Sequence, residues 1–400
     1  MNTRVLRWAS RACLWLAGAS AALSVQAQPK EVVVGVATAK TGWMEAYDTP
    51  ATRAALIRID EINAAGGLMG RKIKTLFADT KTDRAQAAKA GLQLLEQGAD
   101  MLVVSCDYDF GAPAALAAEK AGKVSMFLCA EDAKAGIQGV GKRSFSGSII
   151  AAVQGATMAE WAVQRRNVRS AYVLLDTMIE YNKSICKGFD WMAGSLKPLE
   201  VVGRDTFKND DPSIASQITR IKALPKEPDA IMLCSYAPGG ASAVRQIRAA
   251  GIQSLILNGS AMDGTYWLSA VPNLSNFVVP VQGSIYGDDP NPQVEAFNKA
   301  FERKFGERPS SMYAYPGYIL LDLWAKAVER ARSTEGDAVV AQLNRMNKEP
   351  TLFGPRTFTD KLHIQDSVPL LISEIRNGKP GIVDKWTIST PVPLDVALKK

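Results

Sequence analysis

The residue types that most often carry catalysis are scarce in this 400-residue chain, and their spacing narrows the chemistry further. Its one histidine, His363, lies far from any glycine-flanked serine, so a Ser-His-Asp hydrolase has no base to activate a nucleophile. Cys106, Cys129, Cys186 and Cys234 include no C-x-x-C pair, which removes the usual spacing for zinc or for thioredoxin-like exchange. The stretch GIQGVGKR, Gly136 to Arg143, approaches a phosphate loop. Arg143, however, stands where the magnesium-holding hydroxyl belongs, and the segment does not run from a strand into a helix. No G-x-G-x-x-G follows a strand, so a dinucleotide dehydrogenase has no fingerprint either. The sequence therefore points away from an enzyme, with no catalytic residue, cofactor or metal expected, and toward binding.

The elements that would position a binding site are legible. From Glu31 onward, short β-branched runs alternate with longer amphipathic segments, the pattern of parallel sheets covered by helices. Strands are expected at 31–37, 72–79, 99–106 and 123–129, with helices at 50–64, 83–97 and 111–121 between the first four. Gly66 and Gly67 mark the end of the first helix. A second series has strands at 169–176, 199–207, 228–235, 254–259 and 276–283, with helices at 149–166, 181–195, 212–223 and 239–250. Two long helices, 292–306 and 312–332, have no fresh strands to cover and are expected to pack back on the first lobe. A hairpin around Asn377 and Gly378 would rejoin the second.

In such open sheets ligands sit beyond the carboxyl ends of the strands, where strand order reverses. That selects three first-lobe loops: Ala39 to Tyr47, Cys106 to Gly111, and Cys129 to Ala135. Cys106 and Cys129 end the third and fourth strands and are expected close together. Whether they bond stays open, because neighbouring parallel strands do not always orient Cβ atoms for a bridge.

The amino terminus reads as a cleaved signal peptide over residues 1–27. Arg4, Arg7 and Arg11 lead, Cys13 to Leu23 form an apolar stretch too short to span a bilayer comfortably, and Val25 and Ala27 offer small residues at the cleavage positions. The mature chain then starts at Gln28 and is expected in the periplasm without membrane insertion. Removing three arginines from 47 basic residues leaves 44 against 40 acidic ones, too even a balance for nucleic-acid binding.

Four segments in order resemble the periplasmic solute-binding proteins of branched-chain amino acid type ABC transporters, the leucine-isoleucine-valine binding family. They are VVVGVATAKTG (32–42), IDEINAAGGLMGRKIKTLFADTKTD (59–83), AFNKAFERKFGERPSSMYAYPGYILLDLWAKAVERA (296–331) and LFGPRTFTDKLHIQ (352–365). The resemblance implies a type I periplasmic binding fold: α/β, with two doubly wound parallel-sheet lobes joined by three hinge crossings that close on a ligand. Crossings near Phe145–Ser148, Val281–Gly287 and Phe353–Phe358 divide the chain into lobe 1 (28–146 with 284–355) and lobe 2 (147–283 with 356–400). The implied function is capture of an amino acid or related small polar molecule for an ABC importer, with permease subunits as partners. The alternative is a sensor subunit of the same fold serving a signalling partner.

The family's site residues carry over unevenly. Where it offers serines to a ligand carboxylate, this chain has Cys106, Asp107, Tyr108, Asp109 and Phe110. Where it offers a small residue and a threonine, there stand Cys129, Ala130, Glu131 and Asp132. These carboxylates either face the cleft, repelling a carboxylate and implying a cationic, neutral or amide-bearing ligand, or they cap helices and face solvent. In lobe 2 the resemblance implies pocket roles for Tyr181 and Tyr236. Ser260 falls where an acidic residue usually meets the ligand ammonium, with Asp263 a turn away. Trp43 is expected to lid the cleft.

Overall fold

A computed structural model describes residues 30–197 and 199–398. The expected leader, residues 1–27, lies outside the described residues. The first half-sheet is laid down by β1 (Val32–Thr38), α1 (Glu45–Ala64), β2 (Ile73–Asp79), α2 (Arg84–Glu96), β3 (Met101–Val104), α3 (Tyr108–Lys120), β4 (Val124–Phe127) and β5 (Ser144–Ser146). Its five strands are all parallel in the order β2-β1-β3-β4-β5. Strands such as LVV in β3 are fully buried because helices cover both faces, so they read as unbroken apolar runs.

The second series is α4 (Ala151–Arg166), β6 (Ser170–Asp176), α5 (Glu180–Ser195), β7 (Glu200–Phe207), α6 (Ala215–Lys222), β8 (Ala230–Cys234), α7 (Gly239–Ala249), β9 (Leu255–Leu257) and β10 (Phe277–Val281). Then follow α8 (Pro292–Phe305), α9 (Ala314–Ala331), α10 (Gly336–Leu343), β11 (Leu370–Arg376), β12 (Lys379–Trp386) and α11 (Leu394–Leu398). The second sheet runs β12-β11-β10-β9-β8-β6-β7, with β11 antiparallel to β10 and β12 to β11. Asn377 and Gly378 turn that hairpin with positive φ at both positions, the geometry that the Asn-Gly pair favours.

The long carboxyl-side helices return to the first sheet. α9 lies so close to α1 that a Cβ on Gly317 would fall 2.1 Å from the Ala51 carbonyl oxygen. Two details differ from the sequence reading. α1 begins at Glu45 instead of Pro50, which lies inside the helix as its sixth residue, past the first turn where a missing N–H would cost nothing. α10 and α11, of eight and five residues, are too short for a periodic signal, while β5, of three, falls at the crossing expected near Phe145–Ser148.

The passage between the sheets is stitched. Ser146 N donates to His363 O at 2.9 Å, Gln365 N to Ser148 O at 3.0 Å and Ile150 N to Gln365 O at 2.9 Å. His363 is buried here, stacked on Phe145 at 3.7 Å with Nδ1 2.8 Å from Ser144 O. Burial pushes its pKa down to about 4, so it stays neutral and structural.

Candidate functional site

Both sheets share one local order: β2-β1-β3-β4 in the first and β7-β6-β8-β9 in the second. Each therefore reverses direction once, between β1 and β3 and between β6 and β8, and the loops leaving those strands are where a ligand crevice must form. The two crevices face one another across a hollow of about 30 Å³. Its first-lobe wall comes from Trp43, Met44 and Tyr47 after β1, the Cys106–Asp107 corner after β3, and Cys129 and Glu131 after β4. The opposite wall is Ile179 and Tyr181 after β6, Tyr236 after β8 and Ala261 after β9, and Tyr313, from the turn before α9, completes the lining.

The first-lobe corner is held by covalent and polar bonds. Cys106 and Cys129 form a disulfide with Cα atoms 4.3 Å apart, and Cys186–Cys234 forms another in the second lobe. Asp48, wholly buried in α1, accepts from Ser105 Oγ at 3.1 Å and from the amides of Cys106 at 2.7 Å and Ala39 at 2.7 Å, locking the loop after β3 to the loop after β1. Burial pushes the Asp48 carboxyl up to about 6.

The four acidic residues of this corner divide by direction. Asp107 is buried in the wall, where its carboxylate also caps α3 by accepting from Asp109 N at 2.8 Å. Burial, then the neighbouring Asp109 charge, raises its pKa well above the carboxylate range. Asp109 turns to the rim, pairing with Arg84 at 2.9 Å and accepting from Glu180 N of the other lobe at 2.9 Å. Asp132 caps a short 3-10 turn through Lys134 N at 2.8 Å, and burial pushes it up to about 6. Lys134 is itself ion-paired to Glu180 across the cleft. Glu131, which like Asp107 lines the hollow, comes from the end of β4. Its Oε2 accepts from Ser260 Oγ at 2.7 Å and from the Tyr313 hydroxyl at 2.9 Å, while Oε1 meets no donor among the described residues. Burial pushes its pKa up to about 7, against the pull of Ser260, Gln154 and Tyr313.

The remaining expected residues are placed as follows. Trp43 packs on Tyr236 at 4.6 Å between ring centroids and edge-on to Phe110 at 5.2 Å, closing one side. The Tyr181 hydroxyl accepts from Ala261 N at 2.9 Å and donates to Gln154 Oε1 at 3.3 Å. Ser260 sits behind Glu131 as its partner. Tyr108 opens α3 and packs against the lobe's smaller core, and Ala130 is buried there too, so neither side chain lines the hollow. Asp263 is spent on structure: it accepts from Met312 N at 2.8 Å and from the Tyr286 hydroxyl at 2.8 Å.

Tyr47 and Tyr313 are wall residues that residue-by-residue reading missed. Tyr47 lies in the first turn of α1, four residues after Trp43, and the two rings meet edge-on at 6.2 Å between centroids. Its hydroxyl accepts from Ala237 N at 3.1 Å and donates to Ala261 O at 3.2 Å, so it bonds the opposite lobe. Tyr313 belongs to a run of tyrosines, with Tyr315 and Tyr318, that periodicity assigns to helix packing. Ile179 and Ala261 carry no sequence signal, whereas Met44 and Tyr47 fall within the Ala39–Tyr47 loop that strand order selects. Among the described residues, no lysine or arginine lines the hollow, no cluster of His, Cys, Asp and Glu could hold a metal, and no helix is long and apolar enough to cross a membrane.

A sequence model of the family described as periplasmic binding protein matches residues 31–379. The chain is 22% identical over 336 residues to Leu/Ile/Val-binding protein homolog 3 of Brucella melitensis, covering 82% of this chain and 88% of that one. It superposes on the branched-chain amino acid transporter substrate-binding protein LivJ of Streptococcus pneumoniae, in complex with isoleucine, with TM-score 0.78 and 24% identity over 90% of this chain and 99% of that one. A solute-binding protein of an ABC transporter from Rhodopseudomonas palustris, in complex with 3,4-dihydroxybenzoic acid, superposes with TM-score 0.73 and 18% identity over 89% and 97%.

Proposed function

The chain belongs to the periplasmic binding protein family, and on that premise we propose that it captures a small polar solute between its two lobes and presents it to the permease subunits of an ABC importer. One observation carries this reading: the hollow is walled by the switch-point loops of both sheets, so neither lobe forms the site by itself. Its volume of about 30 Å³ admits little more than a water molecule, so a solute enters only when the lobes part and is enclosed when they meet again. The bonds from Tyr47 to Ala237 and from Glu131 to Ser260 are contacts of the closed arrangement, and differential contacts of that kind are what a ligand uses to shift a hinge equilibrium.

Lobe 1 comprises residues 28–146 with 284–355 and lobe 2 residues 147–283 with 356–400. A leader over residues 1–27 delivers the mature chain to the periplasm. The isoleucine and dihydroxybenzoate complexes of the structural neighbours support a solute of amino-acid size. A thermal-shift screen over amino acids, amides, aromatic acids and amines tests the reading. A bound solute at a hundred times its dissociation constant adds about 2.7 kcal/mol of stability. A chemically altered solute after incubation, or no response anywhere in the screen, would overturn it.

A further inference from the structure

Resting on that reading, we propose that the solute is a small organic cation, held by donating an N–H to Glu131 Oε1 and surrounded by tyrosine and tryptophan rings, with no carboxylate of its own in the cleft. Three observations converge on this class. Glu131 is only 3% exposed, yet Oε1 has no partner within hydrogen-bond geometry among the described residues, the neighbouring Gln154 amide included, while Oε2 is already satisfied by Ser260 and Tyr313. An unmet acceptor buried in a protein costs free energy, and a ligand N–H is the group that would meet it. Next, the ionisable groups of the wall are acids and phenols: Glu131 and Asp107 with Tyr47, Tyr181, Tyr236 and Tyr313.

The cations nearest this corner are already committed, Arg84 to Asp109 and Lys134 to Glu180. Above pH 7, where Glu131 is ionised, a ligand carboxylate would therefore lie beside it without a counter-charge, in a site where low dielectric strengthens repulsion. A ligand cation supplies the missing charge instead. Finally, the aromatic lining suits that charge, since ring faces attract cations within about 6 Å. Burial lifts Glu131 to about 7, and a bound cation would draw it down again, so binding tightens as pH rises through that region.

The test uses two carbon skeletons, each carried by three head groups: isopentylamine, leucine and 4-methylpentanoate, and phenethylamine, phenylalanine and 3-phenylpropionate. Affinities for the full mature chain are measured by calorimetry at pH 8. The amine of at least one skeleton is expected to bind tenfold or more tighter than its amino acid and its acid. Glu131→Gln should weaken the amine at least tenfold without weakening the acid, and Asp107→Asn should lower the same ratio. A merely structural role for Glu131 would weaken all three head groups together. Leucine or phenylalanine binding as tightly as the matching amine would overturn the cation while leaving solute capture intact. No response from either amine would overturn it as well, and the wider screen then judges capture separately.

Discussion

Arg356 Nε donates to Gly147 O at 2.7 Å across a sequence separation of 209 residues. The same buried guanidinium donates to Gln282 Oε1 at 2.9 Å and to Pro355 O at 3.1 Å, so one side chain joins three segments that pass between the sheets. Among the described residues no carboxylate pairs with it, and burial pushes its pKa down to about 10. Arg356→Met leaves those acceptors buried without donors and should cost about 2–4 kcal/mol. Arg356→Lys keeps the charge but cannot reach all three segments, and should lose more than half as much. Urea unfolding midpoints check both, and a Lys variant as stable as the wild type would remove the stapling role.

The α4–α5 pair is packed through glycines. A Cβ on Gly188 would fall 1.8 Å from Ala152 O, and one on Gly155 1.9 Å from Ile185 O. Either substitution by alanine forces the backbones apart and should destabilise by about 1–3 kcal/mol or more. Gly194, in the same helix with open space around it, should gain about 0.5–1 kcal/mol as alanine. Thermal melts of the three variants separate packing from helix propensity.

The two disulfides should differ in consequence. Cys186–Cys234 closes 48 residues of lobe 2 away from the hollow, so its removal as a double serine should cost about 2–4 kcal/mol of stability with little change in solute affinity. Cys106–Cys129 forms part of the wall, and its removal should weaken binding as well as folding. Affinity measured beside unfolding for each double variant distinguishes them. Equal effects on binding would contradict the assignment of the wall.

Glu131 gives stability a pH dependence of definite sign. Its folded pKa of about 7 lies above the ordinary 4.5, so between these values the folded chain holds a proton that the unfolded chain has released. Stability from this residue therefore falls as pH rises through that window and levels off above it. Glu131→Gln should match the wild type near pH 4.5 and exceed it by about 2–3 kcal/mol at pH 8. His363, held near 4, acts oppositely between 4 and 6.5, but it is common to both proteins and cancels in the difference. Urea unfolding at the two pH values reads the result, and a difference independent of pH would contradict it.

What sequence made legible was whatever repeats along one element. β-branched runs bounded by turns located nine strands within a few residues, and Asn377-Gly378 located a hairpin. The acidic corner was visible as residue types, yet its directions were not. Asp109 turns to Arg84 and Glu180, whereas Glu131 turns inward, because partners brought by other elements decide each rotamer. Tyr313 was hidden for the same reason: it meets Glu131 182 residues away, and only the return of α9 onto α1 brings them together.

Closure around a bound solute is tested most directly by the distance between the lobes. All four cysteines of the described chain are bonded, so Leu92→Cys in α2 and Met178→Cys beside α5, both exposed, accept spin labels selectively. Pulsed electron resonance is recorded without solute and with the one giving the largest thermal shift. The distance distribution should be broad without it and narrow to a single shorter population at saturation, with one solute per chain. A distribution unchanged at saturating occupancy would contradict capture by two closing lobes.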